Sequence, residues 1–557
     1  MKNLRDKKKK GGKMRTGLRV ADFFCGAGGF SEGFRQKGFD VVFGLDNWKP
    51  AVDTHRLNHP ESKTVLMDIL DLDTPEEIDS VVPDVEVIIG SPPCVSFSGS
   101  NKAGKADKSL GILLIEAYLR VILWKKSRGV LKYWILENVP NSRHYIKERY
   151  SWRELGLPGN GPDLVISTRE VLNATDYGAP QGRKRFFCGE FQLPKKTHEE
   201  DSWVTMRKVL ESLGNPLSEA QMKIADPVYM FEIDGADLTD HFYDSRVADF
   251  EWKNAKRLKE DHGFMGKMSF PENLDRPSRT VMATMSASTR ESMIFDSFDK
   301  DGRHNGYRLP TIREIASFMS FPITYQFEAR GESTKYKLVG NAVCCKMAAA
   351  LAESILINEG TIPPKYSVPL PIVFPKVNLN GSKRSPKKSR PKKADARFAR
   401  HIPNLKIKGW RVELTNKKSQ FNEGDICWSC LLHKGTGKSM VMLESYDIDV
   451  KELSKRLPNG TLLIEDIEEN FRRDKITSES LQENLCLNGD AEGLTPDVAL
   501  EIMKGIIDKH YPEERFSEEY IDNKDSLIKI KSEKIPLRVV AGLIACDYFV
   551  RGLKKDI

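Results

Sequence analysis

Asp22-Phe23-Phe24-Cys25-Gly26-Ala27-Gly28-Gly29-Phe30 follows directly on a β-branched and aromatic run that begins at Arg19. Arg19–Phe24 reads as a strand and Ser31–Lys37 as a helix. The glycines between them let a ligand lie against the backbone where strand gives way to helix. A glycine-rich turn alone is weak evidence, because many such turns only turn. Working outward, Val41–Leu45, Val85–Ile89, Tyr133–Leu136 and Arg185–Cys188 read as further strands, and Trp48–Asn58 and Gly111–Lys125 as helices. Strands alternating with helices predict an α/β domain built on a parallel sheet. Asp46 follows the second strand, where a carboxylate accepts hydrogen bonds from the ribose hydroxyls of an adenosine-like ligand. Asp68 ends a third strand-like stretch and is placed to accept from an adenine amino group. Together these features predict a nucleoside site without saying which nucleoside.

A second motif, Gly90-Ser91-Pro92-Pro93-Cys94-Val95-Ser96-Phe97-Ser98, stands at another strand end, the edge of a parallel sheet where ligands bind. Two prolines stiffen the approach to Cys94, and the polar run Gly99–Lys105 after it suits closure over a substrate. A buried structural cysteine is the usual reading of such a residue, weakened here by the rigid Pro-Pro approach. Glu137, in Leu136-Glu137-Asn138-Val139-Pro140, is a strand-end carboxyl able to act as an acid or hydrogen-bonding partner. Asp176-Tyr177-Gly178-Ala179-Pro180-Gln181-Gly182-Arg183-Lys184-Arg185 places arginines at the start of another strand; by itself it reads equally as a phosphate-binding or a surface patch.

At 557 residues the chain is too long for one core, so two to four domains are expected. No run approaches the roughly 18 apolar residues of a membrane span, and the amino terminus lacks a secretory pattern. Nine cysteines in this length do not form a disulfide framework, which fits a reduced compartment. Net charge is +8, concentrated in two stretches: residues 1–15 carry eight Lys or Arg against one Asp, and residues 376–400 carry ten against one. Such runs are most often solvated tails, and they also favour a polyanion.

The ordered motifs together resemble the C5-cytosine DNA methyltransferases, bacterial modification enzymes and their eukaryotic relatives. The resemblance continues through Arg276-Pro277-Ser278-Arg279-Thr280-Val281, through 311–322, and through Tyr336-Lys337-Leu338-Val339-Gly340-Asn341-Ala342-Val343, so that it covers about residues 18–358. It implies a Rossmann-like, S-adenosylmethionine-dependent α/β catalytic domain over 16–191, completed by 336–360. It also implies a small irregular target-recognition domain and hinge over 192–335. Cys94 is then the nucleophile that adds to C6 of cytosine, Glu137 the group that holds the N3 and amino edge, and Arg185 the arginine that contacts the base. C5 takes the methyl group, and loss of its proton expels Cys94. A stacked base is out of reach, so the cytosine must flip.

The resemblance maps Phe24, Gly26, Gly28, Asp46, Asp68, Ile69, Pro92, Leu113, Asn341 and Val343 to S-adenosylmethionine, with Asn47 or Trp48 stacking on adenine; spacing does not decide between these two. Ser98, Gln181 and Arg183 are implied on the substrate side, Arg183 nearer the DNA backbone. The partner implied is double-stranded DNA, bound by a monomer, with a restriction endonuclease as a companion; no metal and no membrane are implied. Val95 departs from the family, which more usually carries Gln after the nucleophile, a difference that bears on loop closure. The expected location is the cytoplasm and nucleoid of a prokaryote, or the nucleus if the source is eukaryotic.

Residues 1–15 read as a basic tail, 361–402 as a basic Pro-rich linker, and 403–557 as a C-terminal α/β or α+β accessory module for DNA or a protein partner. Lys434-Gly435-Thr436-Gly437-Lys438-Ser439 lacks the leading glycine of a phosphate loop and reads as a turn between strands. Cys427-x-x-Cys430 with His433 lacks a second ligand pair, which favours a buried strand over zinc. Two other functions compete: a transfer-RNA cytosine methyltransferase, whose usual Cys-Phe-Thr signature is missing from 192–275, and a non-catalytic DNA-binding regulator, which tends to lose motifs that are intact here.

Overall fold

The computed structural model describes residues 16–93, 108–218, 222–229, 231–260, 268–364, 378–382, 392–435, 440–472, 476–487, 491, 493–525 and 527–553. Val20, Ala21 and Phe23 are buried along β1 (Arg19–Phe23) because this strand runs through the middle of a seven-stranded sheet. Its companions are β2 (Asp40–Asp46), β3 (Lys63–Leu66), β4 (Val87–Gly90), β5 (Tyr133–Asn138), β6 (Thr168–Asn173) and β7 (Lys184–Glu190). The order across the sheet is β3-β2-β1-β4-β5-β7-β6. The first five strands are parallel, and β7 runs antiparallel to both β5 and β6. Every residue of β4 and β5 is buried, as expected for inner strands covered on both faces.

The order reverses between β1 and β4, and ligands of open α/β sheets bind in the crevice at such a switch. Phe23 pairs with Gly90 there, and the Ser91 amide donates to the Phe23 carbonyl at 3.1 Å, so the two motif-bearing segments leave the sheet side by side. Gly90 is required: a Cβ would stand 2.5 Å from the Tyr118 ring, and the Tyr118 hydroxyl is fixed on the Ile135 carbonyl at 2.9 Å. Tyr118 belongs to α4 (Ser109–Ser127); α1 (Gly29–Gln36), α2 (Lys49–Asn58) and α3 (Pro75–Val81) precede it. Farther along come α5 (Ile312–Phe318), α6 (Glu332–Asn341) and α7 (Cys345–Asn358). α7 packs along α1 and returns the chain to the first strand. Residues 332–358 hold an 18-residue stretch apolar enough to cross a bilayer on composition, and 72% of that stretch is buried within the protein.

The chain divides into two compact units, the first of Met1–Arg246, Glu272–Ser286 and Met293–Ser385, the second of Val247–Pro271, Ala287–Ser292 and Pro386–Ile557. The stretch 192–335, expected as one target domain and hinge, is thus shared between them. The linker expectation for 361–402 also changes. Residues 378–382 are laced onto Leu238–Asp244: the Leu379 amide donates to Asp240 at 2.9 Å, the His241 amide to Asn380 Oδ1 at 3.1 Å, and the Gly381 amide to the Phe242 carbonyl at 2.8 Å. Phe398, Ile402 and Leu405 lie in the core of the second unit, which therefore begins before 403.

Within the second unit, β8 (Ala399–His401), β9 (Trp410–Thr415), β10 (Ser429–Lys434) and β11 (Val441–Glu444) form an antiparallel sheet in chain order. α10 (Leu537–Gly552) packs on β9 and β10 on one side and on α8 (Gly460–Arg472) and α9 (Pro496–His510) on the other. Val412, Leu414, Cys430 and Leu432 face that helix in the core. Side chains alternate along a strand, so His433, three residues after Cys430, lies on the opposite face. It lies 3.7 Å from Glu413, which explains why Cys430 and His433 cannot share a metal. Lys434 pairs with Val441 where β10 and β11 meet, and residues 436–439 lie outside the described residues.

Candidate active site

Asp46 ends β2, and its carboxylate accepts from the Gly26 amide at 2.9 Å and the Trp48 amide at 2.8 Å. It thereby ties the glycine turn to the start of α2. Burial pushes its pKa above the usual carboxylate range, against the pull of these backbone donors. Phe24 in the same turn adopts φ +54°, a left-handed conformation uncommon for an aromatic residue and often found at ligand sites. A Cβ at Gly26 would meet only the Phe24 carbonyl, 3.9 Å away, so the turn offers open backbone against which a flat ligand can lie. Asp68 accepts from the Leu70 amide at 3.0 Å and from Asn47 Nδ2 at 3.1 Å. Ile69 is buried beside it, and the half-buried Trp48 ring carries the Lys337 ammonium 4.6 Å from its centroid. Two carboxylates around an open turn form an acceptor set that fits a nucleoside.

The rest of the cofactor set lies on neighbouring elements. Pro92 is buried, and its carbonyl accepts from Asn138 Nδ2 at 3.0 Å. Leu113 is exposed on α4, Asn341 is exposed at the end of α6, and Val343 is buried with its carbonyl against Gly29.

A second group of side chains gathers where β5 ends and β7 begins. Arg185 Nε lies 3.0 Å from Glu137 Oε1, and Ser91 Oγ donates to Glu137 Oε2 at 2.5 Å. One donor on each carboxylate oxygen holds a residue that is 4% exposed, so Glu137 is aimed and held. Antiparallel pairing of Glu137 with Phe187 brings Arg185 to that end of β5. The segment from Ser91 runs on into Cys94, which with Ser98 lies outside the described residues.

Gln181 and Arg183 do not join this group, contrary to the expectation that they face DNA. Gln181 is fully buried, accepting from the Val281 amide at 2.8 Å and donating to the Phe318 carbonyl at 3.3 Å. Arg183, 3% exposed, donates to the carbonyls of Val281 (3.1 Å), Gly340 (3.1 Å) and Ala342 (3.0 Å). The Gly182 amide adds a bond to the Ser278 carbonyl at 2.7 Å, and the Ser278 amide one to Pro180 at 2.9 Å. Buried backbone carbonyls need a donor, and these polar side chains supply one as a clamp between distant segments.

Sequence reasoning quoted Ser91 and Asn138 without giving them work. A hydroxyl immediately after a strand, next to a proline pair, was the available signal. Among the described residues no set of His, Cys, Asp or Glu is arranged to hold a metal ion.

The model of the C-5 cytosine-specific DNA methylase family matches residues 18–356. The chain belongs to that family. As a C-5 cytosine-specific DNA methylase it uses S-adenosylmethionine as methyl donor and acts on DNA. Among its relatives, the type II methyltransferase M.NgoPII of Neisseria gonorrhoeae is 27% identical over 355 residues, 61% of this chain and 95% of that protein. M.MthTI of Methanothermobacter thermautotrophicus is 28% identical over 348 residues, 60% of this chain and 96% of that one. Among solved structures, the Entamoeba histolytica methyltransferase EhMeth aligns at 17% identity with a TM-score of 0.40, over 61% of this chain and 98% of its own. The methylase match stops before the second unit's C-terminal segment, so the architecture of 386–557 is an addition to the family's matched core.

Proposed function

We propose that this methylase acts through a covalent bond between Cys94 Sγ and C6 of a cytosine flipped out of a short duplex target. The observation that carries this reading is the Ser91–Glu137–Arg185 cluster. Three peptide units separate Ser91 from Cys94, a span of at most about 10–11 Å. The chain therefore delivers a nucleophile to the neighbourhood of an oriented carboxyl group. In this scheme the Sγ–C6 bond forms as a proton passes from Glu137 to N3, which leaves C5 electron-rich. S-adenosylmethionine supplies the methyl group. Loss of the C5 proton to water then breaks the Sγ–C6 bond and releases Cys94 as the thiolate, while N3 returns its proton to Glu137 and the ring is restored. Arg185 keeps the Glu137 carboxyl turned toward the base edge, and Ser91 fixes its other oxygen. Phe24, Gly26, Asp46, Asp68 and Pro92 hold the cofactor, with Asn47 or Trp48 against the adenine and Leu113, Asn341 and Val343 along the same crevice.

The type II designation of the relatives supports a modification role, either beside a restriction endonuclease or alone, with the enzyme working as a monomer on duplex DNA. The second unit serves DNA recognition, because it takes in Val247–Pro271, part of the stretch in which the family keeps its recognition residues. Bisulfite sequencing of DNA from expressing cells, beside a Cys94→Ala control, tests the central reading. Protected cytosines in one sequence context, absent from the control, are expected. Protection that persists with Cys94→Ala rules out the covalent route, and no protection at all moves the search to transfer RNA.

A further inference from the structure

Gly28 closes the cofactor turn in a left-handed conformation, φ +90°, where an L side chain is strained. The space a Cβ would need is already taken: it would lie 2.4 Å from the Tyr325 hydroxyl and 3.1 Å from His59 Nε2. Tyr325 comes from a segment nearly 300 residues away in the chain, yet its hydroxyl donates to the Ala27 carbonyl at 2.6 Å, inside the turn itself. With its proton committed there, the hydroxyl oxygen accepts from His59 Nε2 at 3.2 Å, which fixes the His59 tautomer. His59 stacks on His55, ring centroids 4.6 Å apart. His55 Nε2 meets Ser31 Oγ at 3.0 Å, and Ser31 Oγ donates to Asp22 at 2.6 Å. All five side chains of this chain, Asp22, Ser31, His55, His59 and Tyr325, are buried.

Tyr325 is held from its other end as well. Arg313, fully buried, donates to the Tyr325 carbonyl at 2.8 Å, to the Pro322 carbonyl at 3.2 Å and to the Thr239 carbonyl at 3.1 Å. The ring is wedged against Phe321, with centroids 4.6 Å apart. A tyrosine clamped at carbonyl and ring and bonded through its hydroxyl to one peptide of a glycine turn is a device for setting that turn's shape.

We propose that Tyr325, with His59 behind it, is a positioning residue for S-adenosylmethionine: it holds Ala27 and Gly28 in the conformation the cofactor meets. The inference rests on the reading of the turn as the cofactor site. Equilibrium binding of S-adenosylmethionine to the full chain, with steady-state methylation and thermal melting in parallel, tests it in three variants.

Tyr325→Phe removes one oxygen and keeps the ring. Its cofactor Kd is expected to rise about tenfold, the size of one lost buried hydrogen bond, while kcat at saturating cofactor stays within about twofold and melting shifts little. His59→Asn, which still donates but loses the reach, is expected to raise Kd by less. Gly28→Ala is expected to harm binding more in the wild type than in the Tyr325→Phe background, where the clashing hydroxyl is gone. An unchanged Kd in Tyr325→Phe overturns the proposal. So does a fall in kcat, affinity and melting temperature together, which marks a general structural role. Asp46→Ala separates the two readings: if that variant binds the cofactor normally, the turn is not the cofactor site, whatever Tyr325 does.

Discussion

Arg183 and Arg185 stand two residues apart, and the neighbourhoods they enter have little in common. Arg185 meets a carboxylate at 3.0 Å at the mouth of the crevice, where Ser91 leads on to Cys94. Arg183 meets three backbone carbonyls in the interior and joins the strand to segments near 281 and 341. An arginine paired with a carboxyl group aims a reactive side chain, whereas one spread over peptide carbonyls holds segments of backbone together. Composition and spacing do not separate these uses; the partner does.

The comparison is sharpened most strongly on the Cys94 side. Cys94→Ala is expected to abolish methyl transfer while leaving DNA retention on a filter nearly unchanged. Glu137→Gln should lower kcat by about 10² or more, as for a lost general acid, with S-adenosylmethionine affinity intact. Arg185→Lys keeps the charge but loses the fixed fork, and a fall in kcat of about tenfold without a change in melting is expected. Arg183→Lys should reverse that pattern. It strands buried carbonyls and costs about 2–4 kcal/mol of stability in denaturant titration, with kcat per folded molecule near normal. Equal kinetic effects from the two arginines would erase the distinction drawn between them.

Removing the chain after Ser385 tests the carboxyl-terminal part of the second unit and leaves 247–271 and 287–292 in place. The cut is placed beyond the 378–382 lacing so that Asp240 keeps its partner. Cofactor binding should survive, and the ratio of specific to non-specific DNA binding should fall.

The smallest effect is in pH. Burial pushes the pKa of His241 down to about 4, from an ordinary 6.5. Between those values the unfolded chain holds a proton the folded one refuses, so this contribution is fully present above about pH 6.5 and drains away toward pH 4. It amounts to about 2 kcal/mol between pH 7 and 5. Burial also pushes Asp22 up to about 7, which runs the other way: its contribution is present below pH 4 and lost as pH rises through 7. Denaturant titrations of Asp22→Asn should therefore show a steeper rise in stability from pH 5 to 7 than the wild type.

Much of the first unit was readable because its signals are local. Arg19–Phe24 was expected and Arg19–Phe23 is observed; Gly111–Lys125 was expected and the helix runs Ser109–Ser127. Apolar runs bounded by glycine and polar residues carry their own ends. Glu137 and Arg185 were also legible, since motif order brought them to strand ends. What escaped depends on contacts between distant residues. β6 (Thr168–Asn173) alternates poorly and is defined by its pairing with β7. Asn380 reads as one polar residue in a Pro- and Lys-rich stretch, and nothing near it announces Leu238 as its partner. Tyr325 and His59 lie 266 positions apart, beyond any periodicity.

The chain passes from one unit to the other at 246/247, 271/272, 286/287, 292/293 and 385/386, five crossings in all. A module joined by a single crossing can be cut off, borrowed or exchanged by one recombination event. Here a single breakpoint at 385/386 would separate Val247–Pro271 and Ala287–Ser292 from the rest of their unit, Pro386–Ile557. Grafting the second unit of a relative into this enzyme thus calls for breakpoints that carry 247–271, 287–292 and 386–557 together. By the same logic, the addition at the carboxyl end can be exchanged only together with two short inserts far from it in the chain.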